Sequence, residues 1–284
     1  MIDPDKVMNW RFEDVPHKYG AMETMLYALG VGLGADPVDA GQLSFVLEDR
    51  LRALPTMATV LGYPAMWPAD PETGIDYLNL VHGEQGVRFH KSLAPEGEVI
   101  GRTRITSVID KGPKVGAFIY MARDVADSAS GEMLCTLTST LVCRSDGGFG
   151  GPEGPTPKPH AIPERAPDTV CDLPTVPQAA LIYRLAGDHN PLHADPVVAQ
   201  KAGFDAPILH GLCTYGVAGH ALLRTLCDYD PARLRRIEGR FSAPVFPGET
   251  IRTEIWRDGG EVSFRCSVAA RDAVVFNNGR AEIE

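Results

Sequence analysis

The chain lacks a block of Lys or Arg of the kind that tracks a phosphate backbone, and its formal net charge is −10, which argues against nucleic acid as its main partner. Any anionic ligand would need a local basic patch instead. It also lacks an uninterrupted apolar run approaching a membrane span, and the opening M-I-D-P-D-K-V-M-N-W has no apolar core of a secretory signal. The expected location is the cytoplasm, with no membrane partner, and the final A-E-I-E is not the S-K-L peroxisomal address. Cysteine is scarce and scattered: Cys135, Cys143, Cys171, Cys213, Cys227 and Cys266 show neither C-x-x-C nor a His-paired spacing. That pattern points away from a zinc site and from a disulfide framework, toward reduced, mostly buried thiols, with no metal-ligand cluster expected. What the chain does have is size and apolar content: 284 residues, 44% hydrophobic, bury a full core as one large domain or two smaller ones.

In chain order, Val15 to Gly34 passes into M-E-T-M-L-Y-A-L-G-V-G, suited to a short buried helix ended by glycines. Leu51 to Leu61 contains Pro55, a suitable first residue for another helix. From Ile75 to Arg144, β-branched and alternating segments separated by P-E-G, D-K-G-P and S-A-S-G turns predict an antiparallel meander. Residues 146–177 are dominated by glycine and proline and read as an extended linker. Its run Gly147 to Gly151 is not followed by a Walker lysine or a helix start, so it does not read as a phosphate cradle. Beyond it the chain repeats itself in outline. Gly97-Glu98 recurs as Gly248-Glu249, and Ala122-Arg123-Asp124 as Ala270-Arg271-Asp272, about 150 positions on. Each half reads as an apolar helix followed by long strands, and a helix wrapped by a curved antiparallel sheet is the α+β arrangement that buries both apolar surfaces.

The halves are unequal where chemistry is concerned. Asp188, Asn190 and His193 fall within Y-R-L-A-G-D-H-N-P-L-H, where Gly187 and Pro191 favour a tight polar loop. A carboxylate and an imidazole are the usual acid and base types, and an amide can orient a water or a carbonyl. Downstream, Ile208 to Leu226 is mostly apolar or small and long enough for a helix of about five turns, opening after Pro207. Backbone N–H groups near His210 and Gly211 would then face a developing negative charge. The equivalent stretch of the first half, P-V-D-A-G-Q-L, has no D-x-N-x-x-H.

The string from Tyr183 to Gly216 resembles the signature of the (R)-specific enoyl-CoA hydratases, the hydratase 2 or MaoC-like family, which includes the hydratase 2 part of peroxisomal multifunctional enzyme type 2. Further segments occur in family order: L-V-H-G-E-Q at Leu80, D-K-G at Asp110, G-G-F-G-G at Gly147 and F-x-x-P-V-F-P-G-E-T at Phe241. The resemblance covers nearly the whole chain and implies a double hotdog fold. Residues 1–145 would form a non-catalytic half shaping an acyl pocket, and 178–284 a half carrying the catalytic loop. It implies reversible hydration of a trans-2-enoyl-CoA to a (3R)-3-hydroxyacyl-CoA, with the acyl-CoA thioester as partner, no cofactor beyond the CoA of the substrate, and a homodimer by analogy of fold. Asp188 and His193 would hold and deprotonate the water, Asn190 would fix the water or the Asp188–His193 pair, and the Gly211 N–H would bind the enolate oxygen. Which of Asp188 and His193 returns the proton to C2 is open.

The other residues of interest carry plainer expectations. His210 shapes the helix start and, like Glu48, is a candidate support of the site; Tyr183 and Tyr215 pack, and Glu84 makes a structural hydrogen bond. Glu48, where relatives also carry Glu, is a possible support of the site. His189 stands where relatives often place Trp, altering pocket polarity or facing solvent. Lys111, Arg184, Lys201, Arg235, Arg236 and Arg240 are cations available to CoA phosphates, none of them singled out. Thioester hydrolysis, with water attacking C1 rather than C3, and non-enzymatic acyl-CoA binding stand as alternatives.

Overall fold

The computed structural model describes residues 2–151 and 156–284. The first half contributes β1 (Val15–Tyr19), β2 (Leu80–Phe89), β3 (Gly97–Asp110), β4 (Ala117–Asp127) and β5 (Met133–Cys143). The second contributes β6 (Thr169–Pro174), β7 (Leu234–Phe241), β8 (Thr250–Asp258), β9 (Glu261–Val268) and β10 (Ala273–Ile283). The helices are α1 (Pro4–Met8), α2 (Ala21–Gly30), α3 (Ala40–Leu43), α4 (Ala179–Tyr183), α5 (Pro196–Lys201) and α6 (Gly211–Leu226). The strands form one 10-stranded sheet in the order β1-β3-β4-β5-β2-β7-β10-β9-β8-β6. Read outward from the β2–β7 seam, the two halves have the same order, which is the duplication legible in the sequence.

The seam runs antiparallel from Glu84 opposite Arg240 to Arg88 opposite Arg236. Glu84 pairs with the Arg240 guanidinium across it and accepts a 2.7 Å hydrogen bond from Thr140 Oγ1, the structural role expected of it. Arg236, one of the six candidate cations, is tied to Glu238 and Glu282 in the same strip.

α6 is apolar nearly all round, and thirteen of its 16 residues are buried, as suits a helix enclosed by a sheet. It is shared by both halves. A Cβ on Gly216 would meet Val31 Cγ1 at 2.6 Å, and one on Gly219 would meet Thr56 Cγ2 at 2.5 Å, so glycine is required where α6 rests on first-half segments. The first half brings less helix than the symmetric expectation. α2 spans 10 residues and stops in a stretch where Gly32 and Gly34 take positive φ, and Pro55 opens only a buried 3-10 turn, Pro55–Val60.

Two sequence expectations need correction. The strands from Ile75 to Arg144 are not one consecutive meander: β3, β4 and β5 follow each other, but β2 pairs with β5 and β7, and β3 with β1. Local alternation predicts strands, not which neighbour each one finds. The segment 146–177 is not linker throughout either, because Thr169–Pro174 form β6, paired with β8 along the sheet edge. Residues 152–155 of that segment lie outside the described residues. The glycine run is occupied from within: the Asp110 carboxylate of D-K-G accepts from the N–H groups of Gly112, Gly148 and Gly150, each at 2.8 Å. These donors, Gly148 foremost, hold the Asp110 carboxyl below its usual range. All six cysteines are free and buried.

Candidate active site

Between the seam and the start of α6 lies a cavity of about 570 Å³. Its first-half wall comes from β2 to β5 and from the 63–68 segment, and its second-half wall from the 188–193 loop, the 208–212 entry to α6, and residues 241–245. Asp188, Asn190, His193 and Gly211 all line it.

The loop is set by its own sequence. Gly187 takes φ +116, a conformation L side chains rarely adopt, and so turns the chain after the Arg184–Ala186 turn. The Asp188 carboxylate accepts from the Asn190 N–H at 3.2 Å, and the Asn190 side-chain oxygen accepts from the Leu192 N–H at 3.0 Å, capping the 3-10 turn Pro191–His193. That turn carries His193 into the interior. His193 Nδ1 lies 2.8 Å from the Ile208 carbonyl oxygen. A carbonyl only accepts, so Nδ1 bears the proton and Nε2 of the neutral ring is left with a lone pair. Burial lowers the His193 pKa, despite the opposing pull of the Ile208 carbonyl and Asp188.

His210 closes the cluster from beneath. Its Nε2 donates to the Asp188 backbone carbonyl at 3.1 Å, and its ring stacks on His193 with centroids 3.8 Å apart. Burial, then the neighbouring His193, push its pKa down to about 4, and Nδ1 is buried without a partner. Directly after it, α6 opens with no side chain capping its first turn, so the first N–H groups, Gly211 among them, are available to a ligand oxygen. A Cβ at Gly211 would press the Phe241 ring at 3.2 Å.

Asp188, His193 and His210 each bring a donor atom within 4.8 Å of the others. That proximity could not be read from spacing, because His210 joins Asp188 and His193 only in the fold.

Other expected residues fall elsewhere. Glu48 is exposed on the turn Glu48–Arg50 and is not part of the cavity wall. His189 is exposed and is not part of the cavity wall. Tyr183 packs against Tyr27 and His210, and Tyr215 donates to the Ile237 carbonyl at 2.9 Å. None of the six candidate cations lines the cavity, whereas Arg123 and Arg144 do. The sequence reading missed both of these and also His82, whose ring lies 5.0 Å from that of Phe241 at the cavity wall. His82 stands in the quoted L-V-H-G-E-Q segment, so a signal existed, but a strand position does not announce which face lines a pocket.

Comparison with known proteins identifies the family and the fold. The MFE-2 hydratase 2 N-terminal domain family matches residues 17–145 and the MaoC like domain family residues 159–278. The chain is 43% identical over 291 residues to 3-hydroxyacyl-thioester dehydratase Y of Mycobacterium tuberculosis, covering 99% of this chain and 98% of that one. It is 35% identical over 291 residues to the peroxisomal enoyl-CoA hydratase 2 of Arabidopsis thaliana, covering 97% and 94%. The crystal structure of a MaoC-like dehydratase from Phytophthora capsici superposes with a TM-score of 0.87 at 33% identity, over 100% of this chain and 98% of that one. A Mycobacterium tuberculosis protein described as a double hotdog fold superposes at 0.59 with 15% identity over 96% of each chain, a likeness of fold alone. With both halves matched in order and relatives similar from end to end, the chain belongs to the MaoC-like hydratase 2 family and is a double hotdog protein.

Proposed function

We propose that the protein hydrates trans-2-enoyl-CoA thioesters reversibly to (3R)-3-hydroxyacyl-CoA in acyl-CoA metabolism, with catalysis at Asp188, Asn190 and His193. The observation that carries this reading is the pairing of two features on one cavity wall: an acid–base set whose imidazole is held neutral, and the uncapped start of α6 beside it. Water bound between Asp188 and His193 Nε2 loses a proton as its oxygen bonds to C3. Electrons move onto the thioester oxygen, which the first N–H groups of α6, that of Gly211 foremost, stabilise. The proton returns to C2 from the same group of side chains, so addition occurs on one face. Asn190, anchored through its backbone N–H to Asp188 and through its side-chain oxygen to Leu192, fixes the loop and presents its amide N–H₂ to the water. The reaction balances with water alone and needs no cofactor besides the CoA carried by the substrate.

The acyl group would extend from this end toward the first-half wall, where Met121, Leu137, Leu141 and Val142 are found. The enzyme would act as a homodimer in the cytoplasm; among the described residues no helix is long and apolar enough to cross a membrane. The relatives' names, a hydratase and a thioester dehydratase, support the reaction class.

The test is to mix the purified protein with trans-2-enoyl-CoA and resolve the product by chiral chromatography. A (3R)-3-hydroxyacyl-CoA is expected. Free CoA with the unsaturated acid would replace this reading with thioester hydrolysis, and tight binding without turnover would replace it with a sensor.

A further inference from the structure

One wall of the cavity contains a feature that an apolar acyl chain does not explain. Arg123 on β4 is 7% exposed and lines the cavity among Met121, Leu137 and Tyr63. Of its guanidinium nitrogens, one Nη donates to the Thr59 carbonyl at 2.7 Å and the Ala58 carbonyl at 3.4 Å. The Tyr63 ring lies over the group, with 4.9 Å from Cζ to the ring centroid. Nε is buried with no partner, and among the described residues no carboxylate forms an ion pair with Arg123. A buried cation is normally paired, because taking the charge out of water costs several kcal/mol that carbonyl dipoles and a ring face only partly offset.

A second unpartnered group sits beside it. Thr103 on β3 is directly opposite Arg123 in the antiparallel register, lines the same cavity, and has a buried hydroxyl with no hydrogen-bond partner. Directly paired residues on neighbouring strands face the same side of the sheet, so the guanidinium and the hydroxyl project together. Arg123 Nε and Thr103 Oγ1 are both buried without acceptors, and the cavity-lining guanidinium has no carboxylate to answer its charge, so the complement this wall lacks is an anionic oxygen group. The other polar side chains lining this wall, Tyr63, Gln85 and Ser139, carry no carboxylate, which leaves the ligand to bring the charge. His82, on the same wall, is held down chiefly by burial, and lies close enough to both Asp188 and Arg123 for the first to raise it and the second to lower it slightly.

We propose that Arg123 and Thr103 form a carboxylate subsite in the acyl pocket, and that the preferred substrates are enoyl-CoA thioesters whose acyl group ends in a carboxylate. This rests on the reading of the cavity as an acyl-CoA hydratase site and names the substrate class of that site. The subsite is fixed in the sheet, so the preference peaks at the one chain length that spans from Asp188 to Arg123, whereas methyl-ended chains show a broad optimum. A merely structural Arg123, holding the carbonyls of residues 58 and 59, would alter stability without reading the end group.

The experiment compares pairs of trans-2-enoyl-CoA thioesters of equal length ending in methyl or in carboxylate, measuring both kcat/KM and the Kd by calorimetry for the wild-type protein and for Arg123→Met. The expected result is at least a tenfold wild-type preference for the carboxylate end at one length, removed in R123M and weakened in Thr103→Val. Equal kcat/KM and Kd for the two ends at every length in the wild-type protein would overturn the proposal without relying on any variant. So would a preference that persists in folded R123M. If neither class is hydrated but the carboxylated thioester still binds at least tenfold more tightly, the subsite stands and the hydratase reading falls. If only methyl-ended thioesters are hydrated, the hydratase reading stands and the subsite falls.

Discussion

The imidazole rings of His193 and His210 lie against each other in a tilted contact, with centroids 3.8 Å apart and planes inclined at 32°. Two rings that close cannot both carry charge in a buried site, and each is tied through an N–H to a different backbone carbonyl, Ile208 for His193 and Asp188 for His210. The stack therefore keeps His193 in one tautomer as a neutral base while backing it with a ring that is itself hard to protonate.

The pH dependence follows from this. His193 is held below its ordinary value of 6.5, so its neutral form dominates at and above that pH, and kcat/KM should be flat there and fall only at more acid pH. Stability should move the same way. Burial holds His82, His210 and His220 down to about 4, so below 6.5 the unfolded chain binds protons that the folded chain refuses. Stability is then fully present above pH 6.5 and declines as the pH falls toward 4. Urea unfolding midpoints across that range check it; a midpoint unchanged between pH 7 and 4.5 would refute the linkage.

Asp188→Asn keeps the shape of the side chain and its acceptor toward the Asn190 N–H but removes the carboxylate. Hydration should fall by about 10²- to 10⁴-fold, the usual worth of an acid–base group, with Kd for the substrate thioester little changed. Single-turnover rates alongside calorimetry separate the two, and unimpaired turnover would remove Asp188 from the mechanism.

Gly216→Val should destabilise the protein without touching the cavity, because a Cβ there meets Val31 Cγ1 at 2.6 Å and Gly216 is not among the lining residues. The expected loss is about 1–3 kcal/mol, seen as a lower Tm in a thermal scan, with the stereochemistry of the product retained. An unchanged Tm would mean that α6 does not bear on the first half as described.

The Asp188–His193–His210 cluster has donors of metal-binding type, yet the hydration derived above uses water and side chains alone. Dialysis against a strong chelator should leave the rate unchanged, and added zinc should inhibit by occupying the lone pairs on His193 and His210. A rate lost on chelation and restored by zinc would assign the cluster to a metal instead.

Much of the molecule was legible in residue order, for local reasons. Gly187, Asp188, Asn190 and Pro191 build their turn from contacts two residues apart, so Asp188, Asn190 and His193 could be named together without a fold. The helix Gly211–Leu226 was plain from its mostly apolar and small residues, and the duplication from recurring dipeptides. Glu48 shows the limit of such reading: resemblance suggested a supporting role, but its turn leaves it exposed and off the cavity wall.

What the chain alone determined is the turn that carries Asp188, Asn190 and His193, the central helix and the repeat, since each is written in short-range backbone preference or in periodicity. What only the tertiary structure decided is which distant groups meet. β2 crossing to pair with β5 and β7 brings His82 to a wall shared with Asp188, the β3–β4 register sets Thr103 beside Arg123, and the close of the loop onto α6 lays His210 against His193. Strand alternation states that a residue faces one side or the other; only sheet order and packing state what it faces.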